Sequence, residues 1–388
     1  MSLTSILLLS ALIACGESET DGPPQTPKSA KAKADPKAKA EVELDADADA
    51  DADVPRPSPG QGLEGAQKAR SLTAARRYRE AVTELELLLP LASDEAAWRL
   101  LFRSARAAGD SKALLDRLDA DTAVGGKDAW HQRLRADLAL DTGNAEVAKD
   151  AALKLSAHDA ELGAVYLARA LKAGATHDLA GLDVAKASDA LVLASAHRSV
   201  ATRRKALAAA APTTWQGKLL LAELQLSNKD DEAARATLEA ALADADPEAA
   251  LDAQDLVLRL YGDRTQQALR VGRAAEAAEA LGLPEDSVRL SALAVDLYLL
   301  ELRTDEAEAF AAQRRAARWD AVDDLGSAQL DLVHARAAMH EGHYATALTA
   351  TTEAGQIAER LGDRPLAARA AWARSLAAYG LGLEAPLE

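Results

Sequence analysis

Few residues in this chain of 388 combine type and spacing in a way that would do chemistry. A thiolate is a strong nucleophile, and Cys15 is the only cysteine, so it has no disulfide partner within the chain. Imidazoles cluster once, at His334, His340 and His343 with Glu341 among them, and three such ligands could hold zinc. His343 falls in the turn after Gly342, however, and would point away from the face bearing His334, which reads as a solvated turn. No H-E-x-x-H, G-x-S-x-G or G-x-x-x-x-G-K-[ST] pattern occurs. Carboxylates are so plentiful that naming an acid–base pair without a visible cleft would be arbitrary. No catalytic residue, metal ligand or cofactor site is expected.

The elements that position these groups must be helical. Hydrophobic residues make up 49% of the chain but aromatics only 3%, with much of the balance alanine, the best helix former and a poor strand former. A net charge of −16 excludes a basic groove running over most of the surface, so nucleic acid is not an expected partner. From residue 61 onward the pattern is one of amphipathic segments broken by short polar turns, with no alternating strand.

Residues 1–15, MSLTSILLLSALIAC, carry no charged side chain and hold an apolar run from Ile6 to Ala14. That is too short to span a bilayer, for which about 18 to 20 residues are needed, and fits the core of a secretory signal. The run ends Leu12-Ile13-Ala14-Cys15, which resembles the bacterial lipobox. The resemblance implies that the Cys15 thiol is diacylated, that the signal is cleaved before it, and that Cys15 becomes the membrane anchor; Gly16 in place of Asp resembles outer-membrane sorting. Residues 16–60 hold seven of the thirteen prolines, a lysine block from Lys28 to Lys39 and an Asp-Ala alternation from Asp45 to Asp53. Almost nothing larger than alanine is available to bury, so this segment reads as a disordered tether rather than a calcium loop.

The body, residues 61–388, reads as stacked helix pairs. In Asp94 to Leu118 the spacing places Trp98, Leu101 and Ala105 on one face of a first helix, Gly109-Asp110 at a turn, and Leu114 and Leu118 on a second helix. This resembles a tetratricopeptide repeat. Similar units recur at Arg77-Tyr78-Arg79-Glu80-Ala81, Gly143-Asn144-Ala145-Glu146-Val147-Ala148, Asn228 to Ala233 and Gly342 to Ala347, with small residues at Ala81, Ala148, Ala233 and Ala347 where paired helices approach closely. Ala240 and Ala354 follow seven positions after the last two. Clear repeats cover 61–157, 213–247 and 326–380, while Gly174, Gly272 and Arg303 mark turns off register. The expectation is an all-α, irregular right-handed solenoid of about 8 to 10 tetratricopeptide-like helix pairs, with a possible subdomain border near 175–215.

In that family the concave wall is lined by the first helices. The positions that would face it here are Arg70, then Arg99, Arg103 and Arg106 at i, i+4, i+7 spacing, then Arg133. Such a stripe could hold an acidic peptide or a C-terminal carboxylate, or could be spent on carboxylates of neighbouring repeats. Trp98, Trp130, Trp215, Trp319 and Trp372 sit in Ala- or Leu-rich stretches and read as packing residues. The resemblances imply a non-catalytic, lipid-anchored scaffold on the outer membrane, facing the periplasm, that binds an unidentified protein or peptide. Two alternatives stay open: a helical lipoprotein capturing a glycan or other ligand, for which few aromatics are available, and a helical-solenoid cell-wall enzyme, for which no separate compact domain is visible.

Overall fold

A computed structural model describes residues 64–88, 95–120, 129–244, 246–317 and 324–383, all within one unit, Arg56–Glu388. Cys15 with its lipobox, the expected tether over 16–60 and Trp319 lie outside the described residues.

Among the described residues there are nineteen helices and no strand. The first are α1 (Gly65–Ala74), α2 (Tyr78–Glu86), α3 (Glu95–Ala108), α4 (Ser111–Ala120), α5 (Ala129–Asp141), α6 (Ala145–Leu155) and α7 (Ala160–Lys172). The short α8 (Ala187–Ala196) and α9 (Val200–Ala209) follow, then α10 (Trp215–Ser227) and α11 (Asp231–Leu242). The remainder are α12 (Pro247–Asp252), α13 (Gln254–Leu260), α14 (Arg264–Ala280), α15 (Pro284–Leu300), α16 (Thr304–Ala316), α17 (Asp324–Glu341), α18 (Tyr344–Leu361) and α19 (Arg364–Gly380). Consecutive helices pack as hairpins, and the first helices of successive pairs pack on one another: α1 on α3, α3 on α5, α5 on α7, α7 on α10. Both sets of contacts together make an α-solenoid. None of the described helices is long and apolar enough to cross a membrane.

The sequence chooses these boundaries locally. The N–H groups of Asp110, Asn144, Asp230 and His343 reach back to the carbonyls of Ala105, Ala139, Gln225 and Ala338 at 2.7–3.0 Å, closing the preceding helix end in each case. That closure needs a left-handed residue, supplied by Gly109 (φ 73°), Gly143 (φ 76°) and Gly342 (φ 88°). Arg76 (φ 59°), Lys229 (φ 63°) and Leu302 (φ 57°) adopt the same conformation without being glycine. Pro247, Pro284 and Pro365 each sit in the first turn of a helix, where a missing N–H costs little.

Packing follows the repeat template in most places. Trp98, Leu101, Ala105, Leu114 and Leu118 are all buried in one cluster, and Ala81, Ala148, Ala347 and Ala354 are fully buried. Two readings need correction. Gly272 is not a turn: it lies inside α14, where an added Cβ would stand 3.0 Å from the Phe310 ring, so its smallness serves helix packing. In α11 the buried residues are Ala234, Leu238 and Ala241, one position on from Ala233 and Ala240. Over 173–214 the period slips because α8 and α9 are short, yet α10 packs directly on α7 and α8. Glu161 on α7 accepts the backbone N–H groups of Thr213 (3.0 Å) and Thr214 (2.8 Å) and the Thr214 hydroxyl (2.6 Å), tying the segment after Pro212 to the stack.

Candidate functional site

First helices α3, α5, α7 and α10 form one wall of a hollow of about 570 Å³, and α12 with the first turn of α15 forms the facing side. Arg99, Arg103, Arg106 and Arg133 all line it, as their spacing predicts. Arg70 does not: it is exposed on α1, away from the hollow.

The arginines meet carboxylates brought from far along the chain. Asp246 caps α12 through the Glu248 N–H (2.9 Å), and its other oxygen accepts from Arg99 Nη1 (2.9 Å) and Trp215 Nε1 (3.2 Å). Glu248, buried in the first turn of α12, is shared by Arg99 (3.0 Å), Arg103 and Arg133 (3.4 Å). Burial pushes the Arg103 guanidinium down to about 10, with Arg99 and Arg133 as like-charged neighbours, so it stays protonated at neutral pH. Arg106 is more open and pairs with Asp141 at 3.1 Å. Of the two outcomes open for the stripe, pairing with carboxylates of other repeats is the one seen.

A second network adjoins the first through Arg133. Tyr166 donates to Asp137 (2.7 Å) and accepts from Arg133 Nε (3.2 Å). Desolvation raises the Asp137 carboxyl, opposed chiefly by Arg133, and also raises the Tyr166 phenol. Asp252 is reached by water, yet the surrounding walls withhold enough solvent to raise its carboxyl too, against the pull of Arg169, Arg103, Arg133 and Arg106. Neither Asp252 nor Arg169 makes an ion pair among the described residues; Arg169 lies 5.7 Å from the Tyr166 ring centroid.

Trp98 and Trp215 are packing residues as expected, whereas Trp130 and Trp372 depart from that role. Trp98 is buried, with an edge contact to His131 at 6.2 Å. Trp130 is half-buried at the hollow, with the guanidinium groups of Arg133 and Arg99 at 4.9 and 5.8 Å from its ring. Trp215 packs its ring but turns its N–H to Asp246. Trp372 is exposed on α19, because the side of that helix carrying it has no neighbour among the described residues. Of the two Phe, five Trp and six Tyr in the chain, six line this one hollow: Tyr78, Trp98, Phe102, Trp130, Tyr166 and Trp215. Arg169 sits about one repeat after Arg133, so repeat spacing carried a signal for it; nothing local marked Glu248 or Asp252.

His334 is buried, His340 is exposed, and His343 pairs with Glu308 at 2.6 Å; the described residues hold no His, Cys, Asp and Glu group suited to a metal ion. Gly60-Gln61-Gly62-Leu63-Glu64-Gly65 has the G-x-G-x-x-G spacing, a weak signal unless a strand precedes it. Gly65 opens α1, and residues 60–63 lie outside the described residues.

No protein-family profile and no curated protein matches this chain. Among solved structures, a chain of the APC/C hetero-tetramer Cut9-Hcn1 is similar over 80% of this chain and 54% of its own length, at 14% identity and a TM-score of 0.37. The TPR domain of P58(IPK) is similar over 81% of this chain and 87% of its own, at 14% identity and a TM-score of 0.21. This chain thus spans about half the length of the Cut9-Hcn1 chain it matches. Likeness at this level carries nothing about partner or activity.

Proposed function

We propose that this protein is a non-catalytic, tetratricopeptide-like binding scaffold, anchored through acyl chains on Cys15 to the outer membrane and facing the periplasm, that holds a protein or peptide segment in the hollow. The observation that supports this reading is a hollow in which Tyr78, Phe102 and Trp130 stay partly exposed beside Arg99, Arg103, Arg133 and Arg169, over the buried Trp98, Tyr166 and Trp215. Aromatic and arginine side chains dominate binding hot spots because they bury much surface at little conformational cost. Asp246 and Glu248 hold the arginine stripe in place, so the hollow is preorganised rather than a free cationic strip. What it offers a partner is mixed in sign: Arg169 for a carboxylate or carbonyl, Asp252 for an amine or N–H, and aromatic surface between. A purely acidic peptide fits less well than one carrying both charges.

Capture of a saccharide is the second reading, favoured by the same aromatic lining, since sugars stack on rings such as Trp130. Affinity purification from detergent-solubilised membranes separates the two. The scaffold reading requires a stoichiometric protein partner that Arg169→Glu with Asp252→Lys releases. No such partner, with saccharide binding seen by calorimetry, would replace it. Cys15→Ser should free the protein from membranes, and unchanged membrane association would sink the anchor.

A further inference from the structure

The last described helix, α19, has two apolar faces and only one is covered. Leu366, Ala370 and Ala377 are buried against alanines of α17 and α18. Away from them, Pro365, Ala368, Trp372, Leu376 and Tyr379 recur at three- and four-residue steps and form an uncharged stripe along the helix. Trp372 and Tyr379 are 68% and 81% exposed, and Leu376, Leu381 and Leu383 extend the same apolar end of the chain.

Charge says what the stripe fits. Although the chain carries −16 overall, α19 contains Arg364, Arg369 and Arg374 and no Asp or Glu. None of the three arginines makes an ion pair among the described residues, and Arg364 and Arg369 fall on opposite edges of the stripe by helical rotation. We propose that this face docks an amphipathic helix of a partner protein, whose apolar ridge lies on Trp372, Leu376 and Tyr379 and whose flanking Asp or Glu side chains meet Arg364 and Arg369. Such a helix would continue the stack that α17, α18 and α19 already form. A second copy of α19 offers carboxylates only just before its start, at Asp363 and Glu359, and none along the stripe. An anionic bilayer would meet Asp363, which caps α19, and the exposed Glu359 just before it.

The probe is a labelled synthetic peptide with leucines at heptad spacing flanked by glutamates, paired with a companion in which lysines replace the glutamates. Fluorescence anisotropy on the full chain carrying Cys15→Ser should show the glutamate peptide binding at least tenfold tighter than the lysine peptide. Trp372→Ala with Tyr379→Ala should weaken it at least tenfold, with helicity by circular dichroism unchanged because both side chains are exposed. Arg364→Glu with Arg369→Glu keeps the stripe and should reverse the preference between peptides. Equal affinity for both peptides, binding of neither, or binding unaffected by either double variant would overturn the proposal. So would stripe-dependent self-association in sedimentation, which assigns the face to a second copy, or stripe-dependent capture by phosphatidylglycerol vesicles, which assigns it to lipid.

Discussion

Arg99 donates to Asp246 across 2.9 Å although 147 residues separate them in the chain. Together with the three arginines on Glu248, this contact brings α12 against α3 and turns a row of first helices into a hollow with two sides. The arginine stripe is therefore both a structural clasp and the wall of the proposed binding site.

Removing the shared anion should be costly. Glu248→Ala leaves Arg99, Arg103 and Arg133 clustered and largely shielded from solvent without their common partner, a change that typically costs about 3–5 kcal/mol. Urea unfolding measures it. A loss below about 1 kcal/mol would mean that the clasp behaves like an exposed ion pair.

Gly163→Ala tests close helix packing through the sign of its effect. In an ordinary helix interior, alanine is favoured over glycine by about 1 kcal/mol. Here the new Cβ would stand 2.6 Å from the backbone N and Cα of Ser156, which follows α6, so the crossing of α6 and α7 must open. Overpacking of this kind costs about 1–3 kcal/mol, and the variant should melt lower than the parent. A higher melting temperature would contradict the packing described.

Leu302→Gly should stabilise. Leu302 holds φ 57° at the turn between α15 and α16 and is almost fully exposed, so little packing is lost. Relief of left-handed strain of about 1–2 kcal/mol is partly offset by glycine's larger unfolded-state entropy, leaving a net gain below about 1 kcal/mol. Thermal unfolding should show a small rise, and Gly143→Ala, at φ 76°, a fall.

The hollow should leave a pH signature through Asp252. Its carboxyl is raised in the folded state by desolvation, so folding favours the protonated form. The associated stability is complete below the usual aspartate value of 3.8 and is lost as pH rises through the higher folded value. Asp252→Asn should therefore be the more stable protein at pH 7, with the gap closing on acidification toward 3.8. Urea midpoints across that range check the direction; a gap that widens on acidification would mean that the arginines outweigh desolvation.

The local parts of this fold were legible because they rest on short-range rules. Trp98, Leu101 and Ala105 fall on one face by helical spacing, and Gly109, Gly143 and Gly342 announce the turns. Gly272 misled because a glycine serving helix approach and a glycine serving a turn look alike in one sequence. Arg99, Arg103, Arg106 and Arg133 were traceable to one wall, since repeat spacing fixes which face each presents. Their partners were not. Asp246 and Glu248 reach the wall only through the curvature accumulated over the intervening helices, for which no residue nearby carries a signal. Low aromatic content likewise hid the gathering of six rings in one place.

The central claim is that a partner enters the hollow, and site-specific photo-crosslinking tests it most directly. A photoreactive residue at Phe102, on the hollow's wall, should yield one discrete adduct in membranes. The same residue at Lys154, half-exposed on the second helix of its pair and absent from the hollow, should yield none, and Arg169→Glu with Asp252→Lys should abolish the Phe102 adduct. An adduct at Lys154 with none at Phe102, or a Phe102 adduct indifferent to Arg169 and Asp252, would contradict the account.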